Sequence, residues 1–356
     1  MGWLLPPPLP ASTGQAFYVA PNGSNANPGT LAMPWQTVQK ALNTLSAGQV
    51  AYVRGGTYAE ELMMTRSGTA SAPITIRNYP GEQAVLHPGS GGNCNDVIQL
   101  FNVAYVRVQG FVIEGANGCD NNTNVYIAGS SRHVEISNNE IRNGHDHGLY
   151  VDPGTVDVQV LANRIHDNGT IGSGNKDHAL YMNGGPHLIA NNVIYDHPYG
   201  HAVQIYPDAE GDIITNNTIV NTSYTSSYRA AGIIVGGDGL GQTADNILIV
   251  NNIVAWNDRG LYGYYEDGMQ GPQGEGNVGN QNLVYANAFG NLVNDRPNII
   301  DFSGGNLVAD PQFVNRAGHD FHLQPGSPAR GAALPGYTPP TDFEGRARPA
   351  ATLGAY

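Results

Sequence analysis

The chain has 356 residues, with 47 Gly and 37 Asn, and its 16 Lys+Arg against 29 Asp+Glu give a formal net charge of −13. Charged residues are 13% of the total, against roughly 25% in ordinary soluble domains, which excludes coiled coils and long helical arrays built on Glu, Lys and Arg. The acidic balance excludes a broad nucleic-acid surface, which needs clustered Lys/Arg. No apolar run reaches the roughly 18 residues of a membrane span, so neither nucleic acid nor membrane insertion is expected.

Residues 1–15, MGWLLPPPLPASTGQ, are Pro-rich, with no basic segment and no long apolar core. They read as a disordered lead. From 95 to 300 the pattern is short β-branched segments parted by Asn and Gly, with no helical period. One segment type carries Asn near its middle: VEISNNEI (134–141), VQVLANRI (158–165), HLIANNVI (187–194), DIITNNTI (212–219) and ILIVNNIV (247–254). Its asparagines, Asn139, Asn163, Asn192, Asn217 and Asn252, lie 24, 29, 25 and 35 residues apart. A second type alternates with them: VIQL (97–100), NVYI (124–127), GLYV (148–151), ALYM (179–182), AVQI (202–205), GIIV (232–235) and GLYG (260–263). A constant unit at irregular spacing predicts a solenoid with loops of variable length. One strand pair cannot bury its own apolar face, but turns stacked at about 4.8 Å can. The Asn column then belongs at a corner, where Asn tolerates left-handed backbone and passes amide hydrogen bonds up the stack.

The block FYVAPNGSNANPGTLAMPWQTVQKALNTLSAGQVAYVRGGTY (17–58), the Asn unit, and the closing stretches NLVADPQFVN (306–315), DFHLQPGSPARGA (320–332) and TDFEGRARPAATLGAY (341–356) carry a resemblance. Together they resemble the right-handed parallel β-helix proteins of the pectate-lyase-like superfamily. The resemblance implies an all-β, single-domain solenoid with a cap over about 16–60 (a strand, a short amphipathic helix around Thr37–Leu45, and another strand), coils over about 61–315 and a closing segment over about 316–356. That fold carries lyases, hydrolases, epimerases and tailspikes, so the activity must be argued from the site.

Aligning the second segment type places Leu149, Leu180, Val203, Ile233 and Leu261 in one inward column, and Val151, Met182, Ile205 and Val235 in another. Alternation then sends four sets outward: Asp146, Asp177 and Gly200; a small floor of Gly148, Ala179, Ala202, Gly232 and Gly260; Gln99, Tyr126, Tyr150, Tyr181 and Gln204; and Asp152, Asn183 and Tyr206. This reads as a groove for a sugar chain, since Tyr faces stack on pyranose rings and amides bond hydroxyls. The bland alternative is a solvated sheet face with cross-strand Tyr pairs. Tyr150, Gln204, Tyr206 and Asn183 are the expected substrate contacts. Arg229 and Arg259 are added as carboxylate-binding forks.

Lys176 is one of only two lysines, with Lys40, and it directly precedes Asp177 and His178. It is a candidate base, or a cation for an acidic sugar. His147, His178 and His201 occupy equivalent positions at strand starts. They form either a structural stack or a functional set for acid–base work or metal binding. Asp146 and Asp177 suit Ca²⁺ or a retaining glycosidase pair. No HExxH or CxxC is present, so a His-bound transition metal is the lesser expectation. Relatives in this superfamily commonly pair a Lys or Arg base with Ca²⁺, and other lyases use His with Tyr, here His178 with Tyr181. The expected protein is a secreted, monomeric, extracellular lyase that cleaves a uronic-acid polysaccharide by β-elimination. The alternatives are a glycoside hydrolase and a non-catalytic adhesin or tailspike-like binder. Cys94 and Cys119 are either bridged or two thiols.

Overall fold

The computed structural model describes residues 5–89, 96–115, 123–170, 177–223, 229–238, 240–265, 271–348 and 351–356. Cys94, Cys119 and Lys176 lie outside the described residues. The chain coils through three parallel sheets, each of 10 strands among the described residues. One turn shows the order: Arg132–Ser137 in sheet 1, Glu140–Arg142 in sheet 2 and Leu149–Val151 in sheet 3. The Asn-bearing segment is therefore two strands meeting at a corner, and each turn holds three strands where the sequence pattern showed two. The inward columns stand in register, Leu149 on Leu180, Val203, Ile233 and Leu261. Their side chains are fully buried in one continuous aliphatic core, which is the main stabilising term of such a fold.

The asparagine column passes hydrogen bonds up the stack. The backbone N–H groups of Asn139, Asn163, Asn192, Asn217 and Asn252 donate to the side-chain oxygen of the asparagine one turn on, at 2.9–3.0 Å. The left-handed residue is the one before it: φ is 54° at Asn138, 52° at Ala162, 60° at Asn191, 52° at Asn216 and 62° at Asn251. One residue bends the chain and the next satisfies the amides that the bend leaves unpaired.

The N-terminal end of the core is capped, and two outer faces are covered by chain segments. The helix Val38–Thr44 starts at Thr37, whose hydroxyl accepts from the Lys40 N–H, and it lays Val38, Ala41 and Leu42 over the first turn. Residues 5–15, expected as a disordered lead, instead lie along the outside of sheet 1. The Arg107–Glu135 ion pair, 2.7 Å, holds them through the Leu9 N–H and the Leu9 and Pro10 carbonyls. Leu5 packs on Leu188 and Ala190. The C-terminal segment carries a hairpin, Phe313–Asn315 with Asp320–Leu323. Phe313, Phe321, Leu323 and Leu353 bury the flank of sheet 2 at Val193, Val220, Ile253 and Leu283. Among the described residues no helix is long and apolar enough to cross a membrane.

Candidate active site

Sheet 3 presents its outward column in register: Gln99, Tyr126, Tyr150, Tyr181, Gln204, Ile234 and Tyr262. The tyrosine rings meet in tilted and edge-on pairs, 5.5 Å for Tyr126 with Tyr150 and 4.9 Å for Tyr150 with Tyr181. The Tyr126 hydroxyl donates to Asp152 at 3.0 Å. Burial raises the Tyr150 and Tyr181 hydroxyls above the ordinary phenol value, so both keep their protons at neutral pH. Tyr206 lies further along the same sheet.

At the edge of this column Asp146 and Asp177 share a hydrogen bond. Burial, that bond and the charges of Asp177 and Asp96 raise Asp146 to about 7. The crowding of a second carboxylate favours the protonated form of Asp146, whose proton the hydrogen bond holds. Asp177 is fully buried, whereas the Asp146 side chain is 21% exposed and is the member that faces solvent. Gly200, with φ of 71°, lies one turn beyond; a Cβ there would come within 1.6 Å of the Asp177 carbonyl oxygen. Only glycine fits that approach. Asp96 was not singled out in the sequence. It lies two residues before the strand Ile98–Phe101, three turns before Asp177.

The three histidines do not present themselves to a substrate. Their rings stack at 5.4 Å and 5.2 Å, and His147, His178 and His201 are 8%, 1% and 2% exposed. Each Nδ1 accepts a backbone N–H from the next turn: His178 to His147 at 3.1 Å, His201 to His178 at 2.9 Å, and Ala231 to His201 at 2.9 Å. Burial lowers His147 to about 4 and His201 to about 3, and His178 well below the ordinary value. The rings are neutral, with the proton on Nε2. The expectation of a catalytic role is corrected for His178 and His201, which no sugar reaches, and His147 belongs to the same ladder. Among the described residues no group of three or more His, Cys, Asp or Glu is placed to hold an ion.

Two other expectations change. Asn183 is buried, its Nδ2 donating to the Val151 carbonyl at 3.1 Å, so it holds a corner and contacts no substrate. The supposed floor of small residues is also buried. Ala179 and Ala202 are fully covered, and a Cβ on Gly148 would meet the Ala179 carbonyl at 2.6 Å. They are small because the next corner packs against them. Arg229 and Arg259 lie towards the C-terminal end of the sheet, each over an aromatic ring: Arg229 3.9 Å from the Phe289 centroid and Arg259 4.1 Å from that of Tyr262.

The pattern of these sheets matches the family described as Pel9A-like, right handed beta helix region, over residues 17–293. The chain belongs to this Pel9A-like family. It is similar to the uncharacterized protein YwoF of Bacillus subtilis (strain 168), 27% identical over 89% of this chain and 92% of that one. It is also similar to pectate lyase L of Paenibacillus polymyxa (strain SC2), 27% identical over 70% of this chain and 59% of that one. The crystal structure of pectate lyase Pel9A covers 97% of both chains with a TM-score of 0.65 at 15% identity, which is likeness of fold. Pectate lyases are thus among the relatives of this chain.

Proposed function

We propose that the protein is an extracellular lyase that cleaves a uronic-acid-containing polysaccharide by β-elimination on the outer face of sheet 3. The observation that carries this reading is one face bearing a tyrosine column and two arginines with the partly exposed Asp146 at its edge, in a Pel9A-like chain. A base removes the proton from C5 of the uronate, the C4–O bond breaks to leave a C4–C5 double bond, and the departing oxygen takes a proton. Lys176, next to Asp177 in sequence, is the proposed base. Tyr181, which keeps its phenolic proton, is the proposed donor to the departing oxygen. Tyr150, Gln204 and Tyr206 position the sugar rings.

The donor set of Asp146 and Asp177 fits a hard cation such as Ca²⁺, because the proton that crowding holds on Asp146 gives way to a divalent ion. Bound there, Ca²⁺ would neutralise the sugar carboxylate and so acidify C5–H. Two carboxylates alone are too few, so water and substrate oxygens would complete the site.

Incubation with pectate, alginate and glycosaminoglycans, followed by ultraviolet absorbance of the new double bond, tests the reading. Product from one of these polymers is expected, together with its loss in Lys176→Ala at an unchanged melting curve. Reducing ends without the double bond would establish a hydrolase. Binding with neither signal would establish an adhesin.

A further inference from the structure

We propose that the C-terminal half of the groove holds a second subsite, for an anionic pyranose several sugars from the bond that is cut. It is formed by Arg229 and Arg259 above Tyr262, Tyr264 and Phe289. The proposal rests on reading this face as a polysaccharide groove. Along the outward column, Gln99, Tyr126, Tyr150, Tyr181 and Gln204 give way to Ile234, Tyr262 and Val293. These form an apolar cluster of their own with Ala231 and Tyr264, separate from the interior. Tyr206 and Tyr264 come from turns two apart, yet their rings lie 6.2 Å from each other. Gly236, on the turn between and in register with Tyr264, permits this, because a Cβ there would meet the Tyr264 carbonyl oxygen at 2.8 Å.

The two arginines supply the charge. Among the described residues no carboxylate lies within 4.0 Å of Arg229 or Arg259, in a chain with 29 acidic residues against 16 basic. Each guanidinium lies over an aromatic ring, and Phe289 is 48% exposed. Stacking fixes the planar fork and leaves its edge free for a carboxylate. Tyr262 is itself buried beneath Arg259 with its hydroxyl donating to Asp295, so the half-buried Tyr264 is the ring that would stack on an acidic pyranose beside the forks. The strand of Tyr181 is separated from that of Tyr264 by three steps of the stack. At about 4.8 Å per step this is roughly 14 Å, the reach of a short oligosaccharide.

Calorimetric titration with acidic oligosaccharides of increasing length, derived from pectate and from alginate, and with neutral ones of matched length, tests the subsite without requiring turnover. In Arg229→Gln/Arg259→Gln the affinity for the long acidic chain should fall about tenfold or more, with that for the disaccharide unchanged. Tyr264→Ala should weaken the same long chain, and the arginine variant, altered only at the surface, keeps the test valid if Tyr264→Ala does not fold. Unchanged affinity for long chains, or equal losses for the disaccharide and the long chain, would overturn the subsite. If the wild-type protein bound no acidic oligosaccharide of any length, the groove reading would fall and the subsite with it.

Discussion

His147, His178 and His201 each satisfy a backbone amide of the following turn, so at these residues chemistry and architecture are coupled. Their folded pKa values lie below the ordinary 6.5, so the unfolded chain binds protons more readily than the folded one. The stability they contribute is complete above about pH 6.5 and is lost as pH falls towards about 4. The urea midpoint should therefore drop steadily between pH 7 and pH 4.5. Removing one ring, as in His178→Ala, should cost about 2–4 kcal/mol, because it leaves a cavity and an unpaired amide; a denaturation curve measures it. Asp146 has the opposite sign. Its folded value of about 7 lies above the ordinary 3.8, so the stability it contributes is present at low pH and is lost as pH rises through 7. A cation that replaces this proton relieves that loss, so Ca²⁺ should raise the melting temperature more at pH 8 than at pH 5. Equal shifts at both pH values would remove the pair as the Ca²⁺ site. The histidine column was legible from equivalent positions in HDHGLY, KDHALY and YGHAVQ. The Nδ1 bonds were not, since they depend on how the corner turns each ring.

At the scale of the element, paired asparagines divide two tasks. The inner member, such as Asn217, joins the ladder, and the outer member, such as Asn216, takes the left-handed bend. The outer members also face outward and hold the C-terminal segment. Asn191 donates to the Thr341 carbonyl at 2.8 Å, Asn216 to that of Thr352 at 2.8 Å, and Asn251 to that of Leu334 at 3.1 Å. Asn217→Ala should cost about 1–3 kcal/mol by leaving a buried amide without its acceptor. Asn216→Gly keeps the bend but removes the anchor. It should leave most of the stability intact while making the segment after residue 341 a site of limited proteolysis. The ladder was readable because Asn recurs at a fixed place in a β-branched unit. The anchoring role was not, because the segment it holds is more than a hundred residues away in sequence for Asn191 and Asn216.

Over the whole molecule the charge of −13 opposes the proposed polyanion, and the two groove arginines oppose that repulsion only locally. Raising the ionic strength from about 0.01 M to 0.15 M shortens the screening length from about 30 Å to about 8 Å. The association rate with an acidic polysaccharide should therefore rise with salt, and stopped-flow binding measures it. Local composition and period were enough to establish an all-β solenoid, its inward columns and its asparagine ladder. Alternation and corner preference act within a few residues, and each turn repeats them. Tertiary structure alone decided that each turn holds three strands, that residues 5–15 lie along sheet 1, and that Asn183 and the small residues at 148, 179 and 202 are buried. It also decided that Asp146 and Asp177 share a hydrogen bond. These features arise where a bend breaks the two-residue alternation, or where segments far apart in sequence meet, and no local pattern encodes either.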